Sequence, residues 1–203
     1  MKKNIIAVIC LFFTMVTFVS AQTDSELLQQ KLAKFNALDA DFSQQVISPE
    51  GNLIQESLGK LVISRPGNFY WEVTSPEQEL IVSNGIDVWL YSPFIEQVTI
   101  MNFADAIAGT PFALLSGADA ADWANFTVKK TGEEFVISSN DSNSRNKFVF
   151  RFDKDDKIAG FSVIEELGQK SVFTLTNNIN AKPLNDDFYN FKIPSGVEID
   201  DQR

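Results

Sequence analysis

Residues 79–91, ELIVSNGIDVWLY, decide the fold class of this chain. Two apolar runs, Glu79–Val82 and Val88–Tyr91, flank an Asn84-Gly85 pair, which favours the tight turn of a β-hairpin. Short runs rich in β-branched and aromatic residues recur on both sides of this hairpin, and turn sequences such as Arg65-Pro66-Gly67-Asn68 separate them. This spacing predicts an antiparallel meander of hairpins.

Runs of the same kind occur at twelve places, and we expect them to form roughly eleven strands. They are at residues 42–47, 53–64, 69–73, 79–82, 88–91, 96–100, 123–130, 134–139, 147–153, 158–167, 171–177 and 188–193. In Phe148-Val149-Phe150-Arg151-Phe152, three phenylalanines fall on one face because successive strand side chains point to opposite sides. No linker and no internal repeat interrupts the pattern, so we expect a mainly β fold in a single domain.

Two segments break the strand pattern and predict helices. Residues 23–38 begin with Thr23-Asp24-Ser25-Glu26, which fits a capping box, and apolar residues then follow at helical spacing. Residues 102–122 are rich in alanine and contain Thr110-Pro111, a helix cap followed by proline at the first helical position. We expect an amphipathic helix first and a small helical insert between two groups of strands.

The amino terminus has the pattern of a secretory signal peptide. Lys2 and Lys3 precede an apolar run from Ile5 to Val19, which ends in small residues. This run is too short for a typical membrane span. We expect removal of residues 1–21 as a signal peptide and one exported domain over residues 22–203.

The composition excludes several classes of function. The 203 residues include no histidine and one cysteine, Cys10, which lies in the predicted signal peptide. Without histidine the chain lacks the commonest general base and the commonest metal ligand. The formal net charge of −10 argues against nucleic acid and anionic membrane surfaces as partners. We expect no metal, no cofactor and no stable membrane insertion.

Acidic clusters give little support for an enzyme. Asp153-Lys154-Asp155-Asp156 is similar to the start of a calcium loop, but Ile158 and Ile164 stand where glycine and glutamate are required. We expect a β-turn there instead. Glu165 and Glu166 are neighbours on a predicted strand, so their carboxylates point to opposite faces. A glycosidase with distant carboxylates is the remaining enzymatic alternative, and we expect no catalysis.

The aromatic residues and Arg65 each leave two interpretations open. The 18 phenylalanines and three tryptophans can form an ordinary core, or the sheet can curl around an aromatic-lined cavity under the helices. Arg65, at the end of a predicted strand, can be a surface charge or a salt-bridge partner. It can also donate several hydrogen bonds to helix-terminal or loop carbonyls.

The order of motifs resembles the LolA family, periplasmic carriers of outer-membrane lipoproteins in Gram-negative bacteria. The matching segments are DFSQ (41–44), RPGNFYW (65–71), LIVSNG (80–85), VWLYSPFIEQ (88–97), TPFALL (110–115), DW (122–123) and IDDQR (199–203). They cover residues 22–203 nearly end to end. The resemblance implies an unclosed antiparallel β-barrel with a helical lid.

The resemblance also implies a function and partners. The acyl chains of triacylated lipoproteins would enter the apolar space between barrel and lid. An inner-membrane ATP-driven Lol complex, an ABC transporter, would load the carrier, and the outer-membrane receptor LolB would take the cargo. The expected form is a monomer in the periplasm. The receptor itself, a lipid-detecting binding module and an enzyme are the alternatives.

Specific residues acquire expected roles from this resemblance. Arg65 closes the empty form by hydrogen bonding to the lid, and Phe69 contributes to transfer with partners. Ala113 stands where a bulkier apolar lid residue is common. We expect the acyl-chain cavity and lid to include Leu32, Phe42, Trp71, Trp89, Phe112, Leu115, Phe148 and Phe161.

Overall fold

The computed structural model describes residues 22–108, 110–117, 120–141 and 145–203. The predicted signal peptide lies outside these ranges. Most of the described chain forms one sheet, and short helices cover part of it. No helix within these ranges has the length and apolar character that a membrane span requires.

The sheet has twelve strands in the described chain, one more than the predicted number. The strands are β1 (Ala37–Ile47), β2 (Leu53–Ser64), β3 (Asn68–Ser75), β4 (Glu79–Asn84), β5 (Asp87–Ser92), β6 (Gln97–Asn102), β7 (Phe126–Thr131), β8 (Glu134–Ser139), β9 (Lys147–Phe152), β10 (Ile158–Ile164), β11 (Lys170–Asn180) and β12 (Glu198–Asp201). Their order across the sheet is β12-β6-β5-β4-β3-β2-β1-β11-β10-β9-β8-β7. Neighbours are antiparallel except β12, which runs parallel to β6. Because β12 and β7 end the sheet without pairing to each other, the prediction of an unclosed antiparallel sheet is confirmed.

The hairpin that decided the fold class forms as predicted. Gly85 has a φ of +82°, a left-handed conformation that glycine adopts without steric cost. The Asn84 side-chain oxygen accepts hydrogen bonds from the backbone N–H groups of Ile86 and Asp87, at 2.9 Å each. The turn chemistry is therefore local, and it fixes the register of β4 against β5.

The first helix, α1 (Asp24–Leu32), is shorter than predicted. Its capping box is confirmed, since the Thr23 side chain accepts from the Glu26 N–H and the Glu26 carboxylate accepts from the Thr23 N–H. The helix was predicted to extend to Leu38, but the strand β1 begins at Ala37. There the Arg65 N–H donates to the Asn36 carbonyl at 2.8 Å, and the β1–β2 ladder begins.

The predicted helical insert consists of three short helices. They are α2 (Phe103–Ile107), α3 (Pro111–Leu115) and α4 (Ala120–Ala124). Trp123, predicted to begin a strand, lies in α4, and β7 begins three residues later. The β-turn predicted at Asp153–Asp156 is confirmed, because the Asp153 carboxylate accepts from the N–H groups of Asp155 and Lys157.

The carboxyl-terminal segment differs most from the prediction. The strand expected at residues 188–193 is wrong: a 3-10 helix, η2 (Asp186–Tyr189), is capped there by the Asn185 side chain. The strand β12, at the carboxyl terminus, was missed. It forms because β6 offers an unpaired margin, and long-range pairing of this kind leaves no local pattern.

The sheet curls so that both halves face one core. Val88 on β5 and Phe135 on β8 lie on opposite sides of β1 in the strand order but belong to the same hydrophobic cluster. The other face carries a second set of buried side chains under residues 181–203. Val62, Val82, Val98, Ile100 and Tyr189 belong to this outer set.

Candidate functional site

The candidate site is the apolar core between the inner face of the sheet and the helices. We call it the inner cluster. From the sheet it takes Phe42, Leu61, Ile63, Phe69, Trp71, Val88, Phe126, Phe135, Ile137, Phe148, Phe150, Phe152, Phe161, Phe173 and Leu175, among others. The alternation predicted for β9 is confirmed, since its three phenylalanines all lie in this cluster.

Trp71 lies at the centre of the aromatic contacts. Its ring stacks on Phe42 with 4.1 Å between centroids, and the edge of Phe173 meets it at 5.2 Å. Phe161 stacks in turn on Phe173 at 4.6 Å. These rings present flat, non-directional surfaces, which suit a ligand without polar groups.

Gly59 makes the close approach of Phe42 possible. The two residues are paired across β1 and β2. A Cβ at residue 59 would lie 2.3 Å from the Phe42 ring and 2.0 Å from the Glu72 carbonyl oxygen. Only glycine leaves room for the ring to lie flat over the strand.

The helices cover this aromatic wall with four leucines. Leu28 and Leu32 of α1 and Leu114 and Leu115 of α3 are each at most 2% exposed. Burial of one leucine side chain is worth about 1.5–3 kcal/mol. We call α1 and α3 the lid, because their leucines are buried in the inner cluster together with the aromatic side chains of the sheet.

Arg65 joins both lid helices to the end of β2. Its Nε donates to the Leu115 carbonyl at 2.8 Å, its Nη1 to the Leu32 carbonyl at 2.8 Å, and its Nη2 to the Leu114 carbonyl at 3.3 Å. These carbonyls end α1 and α3, and a helix carboxyl terminus attracts positive charge. Of the two interpretations of Arg65, the structure supports the donor to helix-terminal carbonyls.

The Arg65 guanidinium has an unusual environment for a charge. It lies over the Phe35 ring at 4.2 Å from the centroid, and no described carboxylate forms an ion pair with it. Burial among neutral partners lowers the pKa of Arg65 to about 10, because the charged form loses hydration. The side chain is still protonated at neutral pH, because this pKa lies well above 7.

The lid meets the β2–β3 turn at a second point. The Gly67 N–H donates to the Ser116 carbonyl at 3.0 Å. Gly117 has a φ of +107°, and a Cβ there would lie 3.7 Å from the Arg65 Cδ. A residue after α3 with this left-handed conformation allows the chain to turn beside the arginine.

Charged contacts also hold α1 and the residues just after it. Lys31 and Lys34 both donate to the Asp156 carboxylate, in the turn between β9 and β10. At the start of the helix, the Asp24 carboxylate accepts from the Lys130 N–H at 2.8 Å, on the margin strand β7. The contacts of Lys34 and Asp24 are exposed, whereas the Lys31 contact, like the Arg65 hydrogen bonds, is part-buried.

Most of the predicted cavity and lid residues come together in the inner cluster. They are Leu32, Phe42, Trp71, Leu115, Phe148 and Phe161, and Phe69 lies with them at 5% exposed. The side chain of Phe112 lies outside the described residues, although its backbone belongs to α3.

The prediction that Trp89 lines the cavity is wrong. Val88 points into the inner cluster, so its strand neighbour Trp89 points to the opposite face. There Trp89 pairs across the sheet with Val82 and Ile100, both members of the outer set. The alternation of β5 shows that the two side chains oppose each other, but not which one faces inward.

Sequence reasoning missed several residues of the site. Phe35 stacks on Arg65, Phe173 contacts Trp71, and Asp156 binds α1. The alternation of β11 could have placed Phe173 and Leu175 on one face. Phe35 and Asp156 carry no such signal, because their partners are more than 25 residues away along the chain.

Comparisons with known proteins agree with this architecture. The family profile described as "Outer membrane lipoprotein carrier protein LolA" matches residues 33–192. An outer-membrane lipoprotein carrier protein of Psychromonas ingrahamii is 51% identical over 99% of this chain and all of its own length. A protein of the same name from Aliivibrio salmonicida is 39% identical over 99% of this chain and all of its own length.

Solved structures share the fold at low sequence identity. A LolA superfamily protein of Nitrosomonas europaea has a TM-score of 0.50 at 10% identity, covering 84% of this chain and 99% of its own. An uncharacterized conserved protein of Thermus thermophilus has a TM-score of 0.55 at 12% identity, covering 89% and 100%. The profile match and the full-length relatives establish that the chain belongs to the LolA family of outer membrane lipoprotein carrier proteins.

Proposed function

We propose that this protein is a periplasmic carrier of lipoproteins that shelters their acyl chains between the inner cluster and the lid. The single observation that supports this most is an aromatic wall covered by two small helices, which a half-buried arginine joins to the sheet. The names of the full-length relatives agree with it. The proposal involves no catalytic step.

The energetics of an exchange between lid and cargo favour reversible binding. Each buried methylene is worth about 0.8 kcal/mol, so the exposure of three long acyl chains to water costs tens of kcal/mol. In this structure the four lid leucines are buried against the aromatic wall, so cargo that binds to the wall must displace them. Displacement of the lid therefore lowers the affinity for cargo. Flat apolar contacts also do not fix the cargo in one orientation.

In this proposal Arg65 sets the balance between closed and open lid. Its three hydrogen bonds hold both helices shut. Opening breaks them but returns the charge to water, so the net preference for the closed form is moderate. Because the open form binds the cargo, a minor open population weakens apparent affinity and favours onward release.

Phe69 fits a role in transfer with partners only when the lid has moved. In the closed form it is 5% exposed on the inner face of β3, directly after the Arg65–Asn68 turn. We propose that an inner-membrane ATP-driven Lol complex loads the carrier, and that the outer-membrane receptor LolB receives the triacylated cargo. Phe69 would become accessible to both at the open lid.

The first test is loading. The protein without residues 1–21 is incubated with spheroplasts that release lipoproteins through an active transporter, and native mass spectrometry follows. We expect a one-to-one complex with a triacylated lipoprotein. If the protein remains empty while a known carrier loads in the same preparation, the proposed function is wrong.

The second test is release. Arg65→Leu removes the hydrogen bonds to the lid, so we expect it to load lipoprotein but to retain it, with transfer to membranes containing LolB at least tenfold slower. Arg145→Leu is the matched control, since Arg145 is 72% exposed and lies far along the chain from the lid contacts. Normal release from Arg65→Leu would contradict the role given to Arg65.

A further inference from the structure

A second feature of the lid region is a cleft of about 710 Å³ near the open side of the barrel. It lies between α2, which follows β6, and the hairpin of β7 and β8. Its lining comprises Phe103, Ala104, Ile107, Ala108, Ala113, Asp122, Asn125, Phe126, Ser139, Asn140 and Asp141. Because the sheet ends at β12 and β7, this cleft lies where the barrel wall is incomplete.

One side of the cleft is continuous with the inner cluster. Phe126 belongs to that cluster, and Phe103 and Ile107 pack against it. Ala113 also lines the cleft and is 8% exposed. Its small side chain fills little of the space between the cleft and the inner cluster.

The other side of the cleft is polar and held in place. The Asn140 amide donates to the Ala124 carbonyl at 2.9 Å, and its oxygen accepts from the Thr127 hydroxyl at 2.7 Å. The Asn140 N–H also donates to the Asn125 carbonyl at 2.8 Å. These bonds tie the start of β7 to the end of β8 and present amide and carboxylate groups next to an apolar wall.

We propose that this cleft holds the lipid-proximal segment of the cargo, meaning the glyceryl-modified cysteine and the first residues after it. This inference rests on the proposed carrier function. At that segment a lipoprotein changes from acyl chains to a polar peptide within a few ångströms. The cleft changes in the same way, from Phe103, Ile107 and Phe126 to Asn125 and Asn140. The acyl chains extend into the inner cluster, and the peptide leaves through the gap between the sheet margins.

The geometry of the rest of the barrel favours this exit over others. At the Arg65 end, the Gly67 N–H and the Arg65 guanidinium close the lid against β2 and β3. On the outer face, residues 181–203 cover β3 to β6. The cleft therefore offers the folded part of the cargo a route that leaves the outer cover in place, while the acyl chains displace the lid leucines.

The test uses single cysteines carrying a photoactivatable benzophenone. Cys10 is the sole cysteine of the sequence and lies in the predicted signal peptide, so an introduced thiol is unique after its removal. Ala104→Cys and Ala108→Cys place the probe at the cleft, and both positions are exposed. Ala33→Cys is the matched control, an exposed alanine at the end of α1 outside the cleft.

Each labelled protein is loaded from spheroplasts, illuminated and mapped by peptide mass spectrometry. We expect Ala104→Cys and Ala108→Cys to cross-link to the residues just after the lipidated cysteine of the cargo, with at least fivefold higher yield than Ala33→Cys. Equal yields, or a higher yield at residue 33, would overturn the inference. Ala104→Trp narrows the cleft and should reduce the loaded fraction several-fold, while Gln78→Trp, at an exposed position between β3 and β4, leaves it unchanged.

The same experiment separates failure of this inference from failure of the proposed function. Native mass spectrometry before illumination reports whether a lipoprotein has bound. If a complex forms but the cleft positions give no cross-link to the lipid-proximal segment, the exit route is wrong and the carrier proposal stands. If no complex forms, both are overturned.

Discussion

The two faces of the sheet are covered in contrasting ways. On the inner face, the lid leucines lie on aromatic rings, and the polar fastenings concentrate at Arg65 and Asp156. On the outer face, the segment 181–203 is fixed at several points along its length. The Tyr189 hydroxyl bonds the Ser64 hydroxyl at 2.7 Å, and Phe188 and Phe191 contact Tyr70 and Tyr91.

The end of the outer cover adds a strand ladder and an ion pair. β12 pairs with β6, and the Arg203 guanidinium lies 3.1 Å from the Asp87 carboxylate. The backbone hydrogen bonds of a strand ladder form cooperatively, so local opening of the ladder is costly. A few side-chain hydrogen bonds at helix ends can break in one local opening event. From this comparison we expect the outer cover to contribute more to stability and the inner cover to open more readily.

The largest effect that tests this comparison is expected at Tyr189, which is fully buried on the outer face. Tyr189→Ala should lower the free energy of unfolding by about 3–5 kcal/mol, the usual cost of removing a buried aromatic side chain. Urea unfolding measures this change. Phe188→Ala is the neighbouring control, since Phe188 is 45% exposed and should cost less.

The companion variant Tyr189→Phe separates stability from function. It removes one buried hydroxyl, and Ser64 keeps its bond from the Leu184 N–H. The loss should be about 0.5–1.5 kcal/mol. Lipoprotein loading should remain normal, because nothing in the inner cluster changes. A release defect in Tyr189→Phe as severe as that expected for Arg65→Leu would show that the two covers act together.

A second prediction concerns the opposite orientations of Trp71 and Trp89. Two proteins are made in which either Trp71 or Trp89 is the only tryptophan, the others being replaced by phenylalanine. Brominated acyl chains quench tryptophan fluorescence on contact, so they should quench Trp71 on the inner face strongly. The emission of Trp89 should change little. Equal quenching of both would place Trp89 against the cargo and contradict the assignment of faces.

The sequence was sufficient where local chemistry determines structure. The Asn84-Gly85 turn, the capping box at Thr23 and the alternation of β9 follow from neighbouring residues, and each was predicted correctly. The resemblance to a known family then supplied the lid and a role for Arg65. That role includes three carbonyl partners between 33 and 50 residues away, which no local pattern specifies.

The errors came where distant parts of the chain determine the outcome. α1 ends early because β1 pairs with β2, and β12 forms because β6 is left unpaired. Trp89 was assigned to the wrong face because alternation gives the relative orientation of neighbours and not the direction of the core. In each case the deciding contact belongs to the curled sheet as a whole.

The smallest expected effect concerns the ion pairs of Asp156 with Lys31 and Lys34, which hold the end of α1. The Lys31 side chain, and next the Lys34 side chain, hold the pKa of Asp156 down at about 2 by hydrogen bonding to its carboxylate. The folded-state pKa of Asp156 lies below the ordinary value of 3.8. The lysine contacts of Asp156 therefore contribute their full stabilisation at pH values above 3.8. It is lost as the pH falls toward 2, where the carboxylate becomes protonated in the folded state too.

Asp156→Asn removes the charge and keeps the backbone, since asparagine tolerates the left-handed φ of 62° found there. Hydrogen exchange of the α1 amides at neutral pH and low salt should accelerate about two- to fivefold, because exposed ion pairs contribute little. Asp155→Asn, in the same turn, is the control.

Added salt should remove most of the difference in exchange rate between Asp156→Asn and the unmodified protein, since mobile ions screen exposed charges. The Arg65 contacts are more deeply buried, so the closing of the lid should persist at high salt. If salt released the lid as fully as Arg65→Leu does, the ion pairs of Asp156 would contribute more to lid closure than Arg65. The comparison between Arg65 and Asp156 would then be reversed.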